Sequence, residues 1–275
     1  MSAGQPRNAE DFCYRHPDRR SYVLCQRCLR TICPECQTQA AVGVICPECL
    51  AQQRQQTPPR VKRAARRLDS RPLVSYWIVG ITAALFVVAL FVPLTGFLAF
   101  NSLYLMPELG AFQPWRLFTA LLAHGSFWHL ALNMLAVWLI GRSLEPLLGH
   151  MRFLALYLIA GLGGSVAVAL LAPGTFVIGA SGAVFGLLGA LLIIGRHIGA
   201  NITGILVILG INLVLSFLPG SSISWQAHVG GLAVGALLGL IYARTRAASQ
   251  ATMQNLLVGA VAAGLVVLCA VPALT

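Results

Sequence analysis

The chain has 275 residues, 57% of them hydrophobic and only 10% charged, with a mean hydropathy of +0.78. A water-soluble domain carries roughly 25% charged residues, so these figures exclude an ordinary globular enzyme and point to a chain solvated mostly by lipid. The net charge of +11 is unevenly placed: residues 1–72 hold 13 of the 19 Lys and Arg and 6 of the 8 Asp and Glu, so two chemically different parts meet near residue 73.

Residues 1–12 read as a short disordered start, polar and without the apolar run of a cleavable signal peptide. Residues 13–50 form a Cys-rich module that holds seven of the eight cysteines. Its spacing is Cys13-x2-His16, Cys25-x2-Cys28, Cys33-x2-Cys36 and Cys46-x2-Cys49. An odd number of cysteines in such tight pairs predicts metal ligation in a reducing compartment rather than a disulfide framework. Eight ligands suit two tetrahedral, structural Zn²⁺ ions, which supply folding free energy that so small a module lacks in its core. The module resembles B-box and RING-like zinc domains. That resemblance implies cross-bracing, the first pair with the third and the second with the fourth; a sequential arrangement stays open. The expected role is contact with a protein partner, or regulation.

Residues 51–72 read as a basic cytoplasmic linker, interrupted by Pro58, Pro59 and Pro72. Such a segment serves as a solvated tether or is drawn to anionic lipid headgroups. No aromatic residue is interleaved with its charges, so no nucleic-acid partner is expected. Apolar spans then recur near 74–94, 128–146, 152–171, 181–196, 201–218, 226–243 and 255–272, which predicts seven transmembrane helices. The connection at about 97–127 is too apolar for an ordinary loop and is expected to lie in the interface or partly re-enter the bilayer. Arg142, Arg152, Arg196, Arg244 and Arg246 fall in alternate connections, which predicts a cytoplasmic N-terminus and an external C-terminus in a multi-pass protein of the cell membrane.

Polar side chains inside membrane helices are expensive, so each is a candidate for function. They are His129, Asn133, Ser181, Asn212 and His228, with His124 just before the second helix. His129 and Asn133 lie four apart on one helical face. Ser181 opens the fourth helix within Gly179-Ala180-Ser181-Gly182, and His228 opens the sixth. All three helices enter from the same side, so these groups share one depth near the external face. Taken singly, each has a bland use: a small packing surface, a structural histidine, interhelical glue. Together they make a hydrolytic set. A serine hydroxyl is a poor nucleophile until an imidazole takes its proton. The Asn133 amide, the His129 imidazole and the Ser181 N–H can donate to an oxyanion. No Asp follows Asp69, and the remaining carboxylates are Glu108 and Glu145, so the set reads as a Ser181–His228 dyad without a catalytic cofactor. Phe185, one turn after Ser181, is placed to stack on His228. Gly182, Gly186 and Gly189 face Gly231, Gly235 and Gly239 at the spacing that lets helices approach closely.

These residues resemble the rhomboid family of intramembrane proteases. The resemblance runs from about Val74 to Ala243 and is carried by Trp115-Arg116, by HGSFWHLALN (His124 to Asn133), by the GASG around Ser181, and by AHVGGLAVG (Ala227 to Gly235). It implies Ser181 as nucleophile, His228 as base, His129 and Asn133 at the oxyanion, His124 in support, and Gly231 and Gly235 as close-packing glycines. A Tyr often stands where Phe185 does; the ring survives and the hydroxyl is lost. The implied fold is an all-α polytopic membrane protein, a six-helix bundle over 73–245 with an extra C-terminal helix in 246–275. The implied substrates are transmembrane proteins cut near the external face. The competing expectation is an inactive rhomboid-like protein that binds membrane clients.

Overall fold

The computed structural model describes residues 11–40, 43–56, 71–109, 112–218 and 223–270. The expected disordered start, apart from Asp11 and Phe12, and most of the basic linker (57–70) lie outside the described residues. The chain divides into two compact units, 1–66 and 67–275.

The first unit is built from short pieces. β1 (Phe12–Cys13) pairs antiparallel with β2 (His16–Arg20), and β3 (Thr38–Gln39) pairs antiparallel with β4 (Val44–Ile45). Phe12 thus belongs to the module rather than to the leader before it. Each Cys-Pro-Glu-Cys run turns helical at its proline. Pro34 opens a 3₁₀ turn (Pro34–Cys36) and Pro47 opens α1 (Pro47–Gln56), as suits a residue with no N–H to satisfy. α1 extends into what composition assigns to the linker, so 51–56 are helical.

In the second unit, α2 (Leu73–Ala89) leads to a short α3 (Leu94–Leu98) and α4 (Arg116–Thr119), then α5 (Phe127–Leu148) and α6 (His150–Leu171). α7 (Ser181–His197), α8 (Thr203–Ser216), α9 (Trp225–Arg244) and α10 (Ala251–Ala270) complete it. Each of the seven expected spans has its helix among the described residues. By length and composition, α5, α6, α9 and the last helix are long and apolar enough to cross a membrane; α2, α7 and α8 are shorter apolar helices. The first helix ends five residues early, at Ala89, and Pro93 starts a separate turn.

α7 sits at the centre, buried along most of its length and flanked by α6 and α9. The long connection is ordered rather than loop-like. Arg116 is buried and its guanidinium donates to the Gly96 and Ala99 carbonyls at 2.7 and 2.8 Å and to Gln113 Oε1 at 2.6 Å, while lying 4.1 Å over the Tyr104 ring. Phe100, Leu105 and Leu117 pack on Leu162 and Val166 of α6 and Leu265 of α10. At the other end of the bundle, the Glu145 carboxylate is fully buried. It accepts from the Val74 and Ser75 N–H groups at 2.8 and 2.9 Å, from Ser75 Oγ at 2.6 Å, and meets His150 Nδ1 at 2.6 Å. A negative charge on the free N–H groups of a helix start is the favourable placement, and here it ties α2 to α5.

Candidate active site and metal clusters

α7 begins at Ser181, so the Ser181 N–H lies in a first turn whose amides have no acceptor within the helix. The turn before it is set by Gly179, which has φ +114°, a left-handed conformation that a side chain resists. Its N–H donates to the Ala120 carbonyl at 2.8 Å, and a Cβ there would lie 2.6 Å from His129 Nε2. His129 is thus pressed against the backbone two residues before Ser181.

His228 is held in the first turn of α9, which Ser224 caps by accepting from the Ala227 N–H at 3.3 Å. The α7–α9 seam is backbone on backbone. A Cβ at Gly182 would sit 3.2 Å from the Ala227 carbonyl oxygen, while one at Gly231 would collide with the Gly182 carbonyl and one at Gly235 with that of Gly186. The turns bearing Ser181 and His228 are therefore adjacent. Phe185 stacks on the His228 ring with centroids 4.0 Å apart and 12° between planes. His124 is buried with its ring 4.9 Å from that of His129, and its Nε2 finds no partner among the described residues. Asn133 is buried and spends one amide hydrogen on the His129 carbonyl at 2.8 Å, which leaves its second N–H for the site.

One residue beside His228 was not anticipated. Ser216, the last residue of α8, lies 2.9 Å from His228 Nδ1. Asn212, the polar residue that did stand out in α8, uses its amide locally on the Ile208 carbonyl. A serine at a helix end carries no signal in the pattern; only the crossing of α8 and α9 gives it a partner.

In the first unit, the ligands gather in two sets: Cys13, His16, Cys33 and Cys36, and Cys25, Cys28, Cys46 and Cys49. The first pair joins the third and the second joins the fourth. Within each set the ligand atoms lie within 4.8 Å of one another. His16 Nδ1 is 3.8, 3.3 and 3.5 Å from the sulfurs of Cys13, Cys33 and Cys36, and Cys28 Sγ is 3.8 Å from Cys46 Sγ. Ligands at zinc-like bond lengths around a tetrahedral ion stand about 3.5–3.8 Å apart, close to the spacings found here, so both sets could hold a metal. Burial opposes ionising Cys13 and Cys25, yet backbone N–H groups aimed at their sulfurs outweigh it and bring both to about 6. Burial and the neighbouring thiols push Cys36 up to about 11 and Cys49 to about 12. Four thiols this close do not all ionise alone, whereas a bound cation lets them. Arg30 supports the second set, donating to Cys28 Sγ at 3.4 Å and Glu48 at 2.8 Å while covering the Tyr14 ring at 4.1 Å.

A bundle of apolar helices with serine, histidines and an asparagine gathered at one end defines a polytopic membrane protein with a polar site in its helices. Residues 111–245 match the family model described as Rhomboid domain, and the chain carries that domain. Among curated relatives, it is 43% identical over 129 residues to rhomboid protease GluP of Bacillus subtilis, covering 44% of this chain and 24% of the relative. It is 42% identical over 136 residues to RHOMBOID-like protein 4 of Arabidopsis thaliana (47% and 34%), and 36% identical over 132 residues to the putative rhomboid protease YdcA of B. subtilis (46% and 66%). The match spans a quarter to two thirds of these relatives' lengths. The chain is a multi-pass membrane protein with an N-terminal module suited to metal.

Proposed function

We propose that this protein is an intramembrane serine endopeptidase, cutting peptide bonds in or near transmembrane segments of other membrane proteins. The observation that carries the reading is the α7–α9 seam, in which glycine contacts bring the Ser181 turn onto the Ala227–His228 turn and Phe185 holds the imidazole face-on. Names of two relatives, each containing the word protease, support it.

In this mechanism the Ser181 hydroxyl attacks the scissile carbonyl carbon as His228 takes its proton. The oxyanion is met by the Ser181 N–H, His129 and the free amide hydrogen of Asn133. The tetrahedral species collapses to an acyl-enzyme, with the proton passed from His228 to the leaving amine; water then repeats the sequence in reverse. No cofactor takes part. The substrate segment must be extended to present its carbonyl, so segments that unwind readily are preferred. The basic residues in alternate connections support a cytoplasmic N-terminus and an external site in the cell membrane. The two N-terminal clusters hold structural Zn²⁺, the ion suited to tetrahedra of four thiolates or of three thiolates and an imidazole, and present the module to a protein partner.

Purified protein in detergent is expected to cleave a model transmembrane substrate and to be labelled by a fluorophosphonate. Ser181→Ala and His228→Ala are each expected to lose at least ~10³-fold in kcat/KM with the fold intact. A wild-type protein inert to a substrate panel and to the label returns the chain to the client-binding alternative. Metal analysis is expected to find about two Zn per chain, from the two ligand sets.

A further inference from the structure

The proton count around Ser216 leads to a role that the Ser181–His228 reading leaves open. Ser216 is buried, and its hydroxyl donates to the Asn212 carbonyl oxygen at 2.8 Å, one turn back on α8. A carbonyl oxygen only accepts, and a hydroxyl has one hydrogen. With that hydrogen on the Asn212 carbonyl, none is left for His228. The remaining contact, 2.9 Å between Ser216 Oγ and His228 Nδ1, is then made by Nδ1–H donating to a lone pair of the serine oxygen.

We infer that Ser216 is a positioning residue for His228, fixing the neutral imidazole in its Nδ1–H tautomer so that Nε2 is the free base. The inference rests on the proposed peptidase reading, because it assigns the nitrogen that receives the Ser181 proton. An imidazole with no partner at either edge divides between two tautomers, and only one of them can accept a proton at Nε2. Phe185 restrains the ring face but is blind to tautomer; Ser216 restrains the edge and chooses between them.

The arrangement also suits the medium. A carboxylate at this position would choose the same tautomer, at the cost of burying a charge away from water. Both membrane-part carboxylates are elsewhere: Glu145 is engaged with the start of α2, and Glu108 lies in the connection before α4. A neutral hydroxyl anchored to its own helix supplies the acceptor without adding charge. When His228 becomes imidazolium, its Nδ1–H keeps the partner it had, so proton transfer creates no unpaired buried donor on that edge.

The test uses the full chain in detergent micelles with ¹⁵N-labelled histidine, His228→Ala serving to assign the His228 signals. Wild type is expected to show a pyrrole-type Nδ1 and a pyridine-type Nε2 when the ring is neutral. Ser216→Ala is expected to mix the two tautomers and lower kcat by about 10- to 100-fold, the scale of a partly mispositioned general base. KM should stay within about twofold, because no substrate contact is removed. Ser216→Thr, which keeps the hydroxyl, is expected to restore both tautomer and kcat. Should the alanine variant fail to fold by thermal unfolding, Ser216→Cys, of similar shape and a weaker acceptor, takes its place with a smaller shift in the same direction. A pyridine-type Nδ1 in wild type overturns the inference; so does an unchanged kcat in a folded Ser216→Ala protein, or a threonine variant that does not recover. If instead wild type neither cleaves nor takes the label, the peptidase reading fails, while the tautomer measurement still decides the Ser216 bond.

Discussion

The two units of this chain solve the same shortage in different ways. In the N-terminal unit, the buried apolar residues among those described are Ile32, Ile45 and cysteines; its interior is mostly sulfur. The membrane unit has apolar surface in abundance, but lipid tails are as apolar as leucine, so helices gain little by hiding it from one another. One unit is too small for the hydrophobic effect to hold it, and the other is immersed in a solvent that cancels it. Both rely on short-range contacts of definite geometry. In the module these are two gathered sets of four Cys and His side chains; in the bundle they are glycines that bring backbone to backbone.

The sharpest way to break that comparison is to remove the metal. Structural zinc in small modules supplies roughly 10–16 kcal/mol at pH 7, so a strong chelator is expected to unfold the N-terminal unit while leaving the membrane helices folded. Far-UV circular dichroism and proteolysis of residues 11–56 would report it; a module that keeps its fold without metal breaks the argument. The same clusters should bind more weakly in acid. Cys36 and Cys49 keep their protons to about 11 and 12 without metal, so binding releases protons and tightens as pH rises. Competition with a chelator at pH 6 and pH 8 measures the sign.

The converse break is Gly235→Leu, whose new side chain would enter the Gly186 carbonyl. We expect at least ~3 kcal/mol lost in unfolding in detergent, or no folded bundle, with bound metal unchanged. Glu145→Gln is smaller. It keeps an acceptor but loses the charge that faces two N–H groups, the Ser75 hydroxyl and His150, for an expected loss of about 2 kcal/mol in the same assay. The smallest effect is on the module: Arg30→Ala removes a donor to Cys28 and should weaken metal binding by about tenfold without unfolding the loaded protein. Loss of metal in Gly235→Leu or Glu145→Gln would show that folding of one unit depends on the other.

Much of this was legible in the sequence because the relevant signals are short. Cys-x2-Cys pairs and glycines four apart are local patterns, and a run of apolar residues marks its own helix. Levelling Ser181, His129 and His228 at one end needed only the order of the helices. What remained hidden depends on contacts between residues far apart in the chain. Glu145 reads as a charge at a helix end; its use becomes visible only where α2 starts, some seventy residues earlier. Asn212 drew notice as an amide in an apolar helix, but the residue that reaches the site is Ser216, one turn on. The connection before α5 reads as apolar and irregular, and its order comes from Arg116 satisfying carbonyls seventeen and twenty positions away.

The glycine seam between α7 and α9 has a mechanical consequence. Side chains swing between rotamers on fast timescales, but two backbones in van der Waals contact have almost nowhere to go. The spacing between the Ser181 and His228 turns therefore inherits the small fluctuation of main chain rather than the larger sweep of leucine or phenylalanine. α8, by contrast, buries little besides Leu209 and Ser216. On warming, thermal drift should appear first in α8 and only last in the seam.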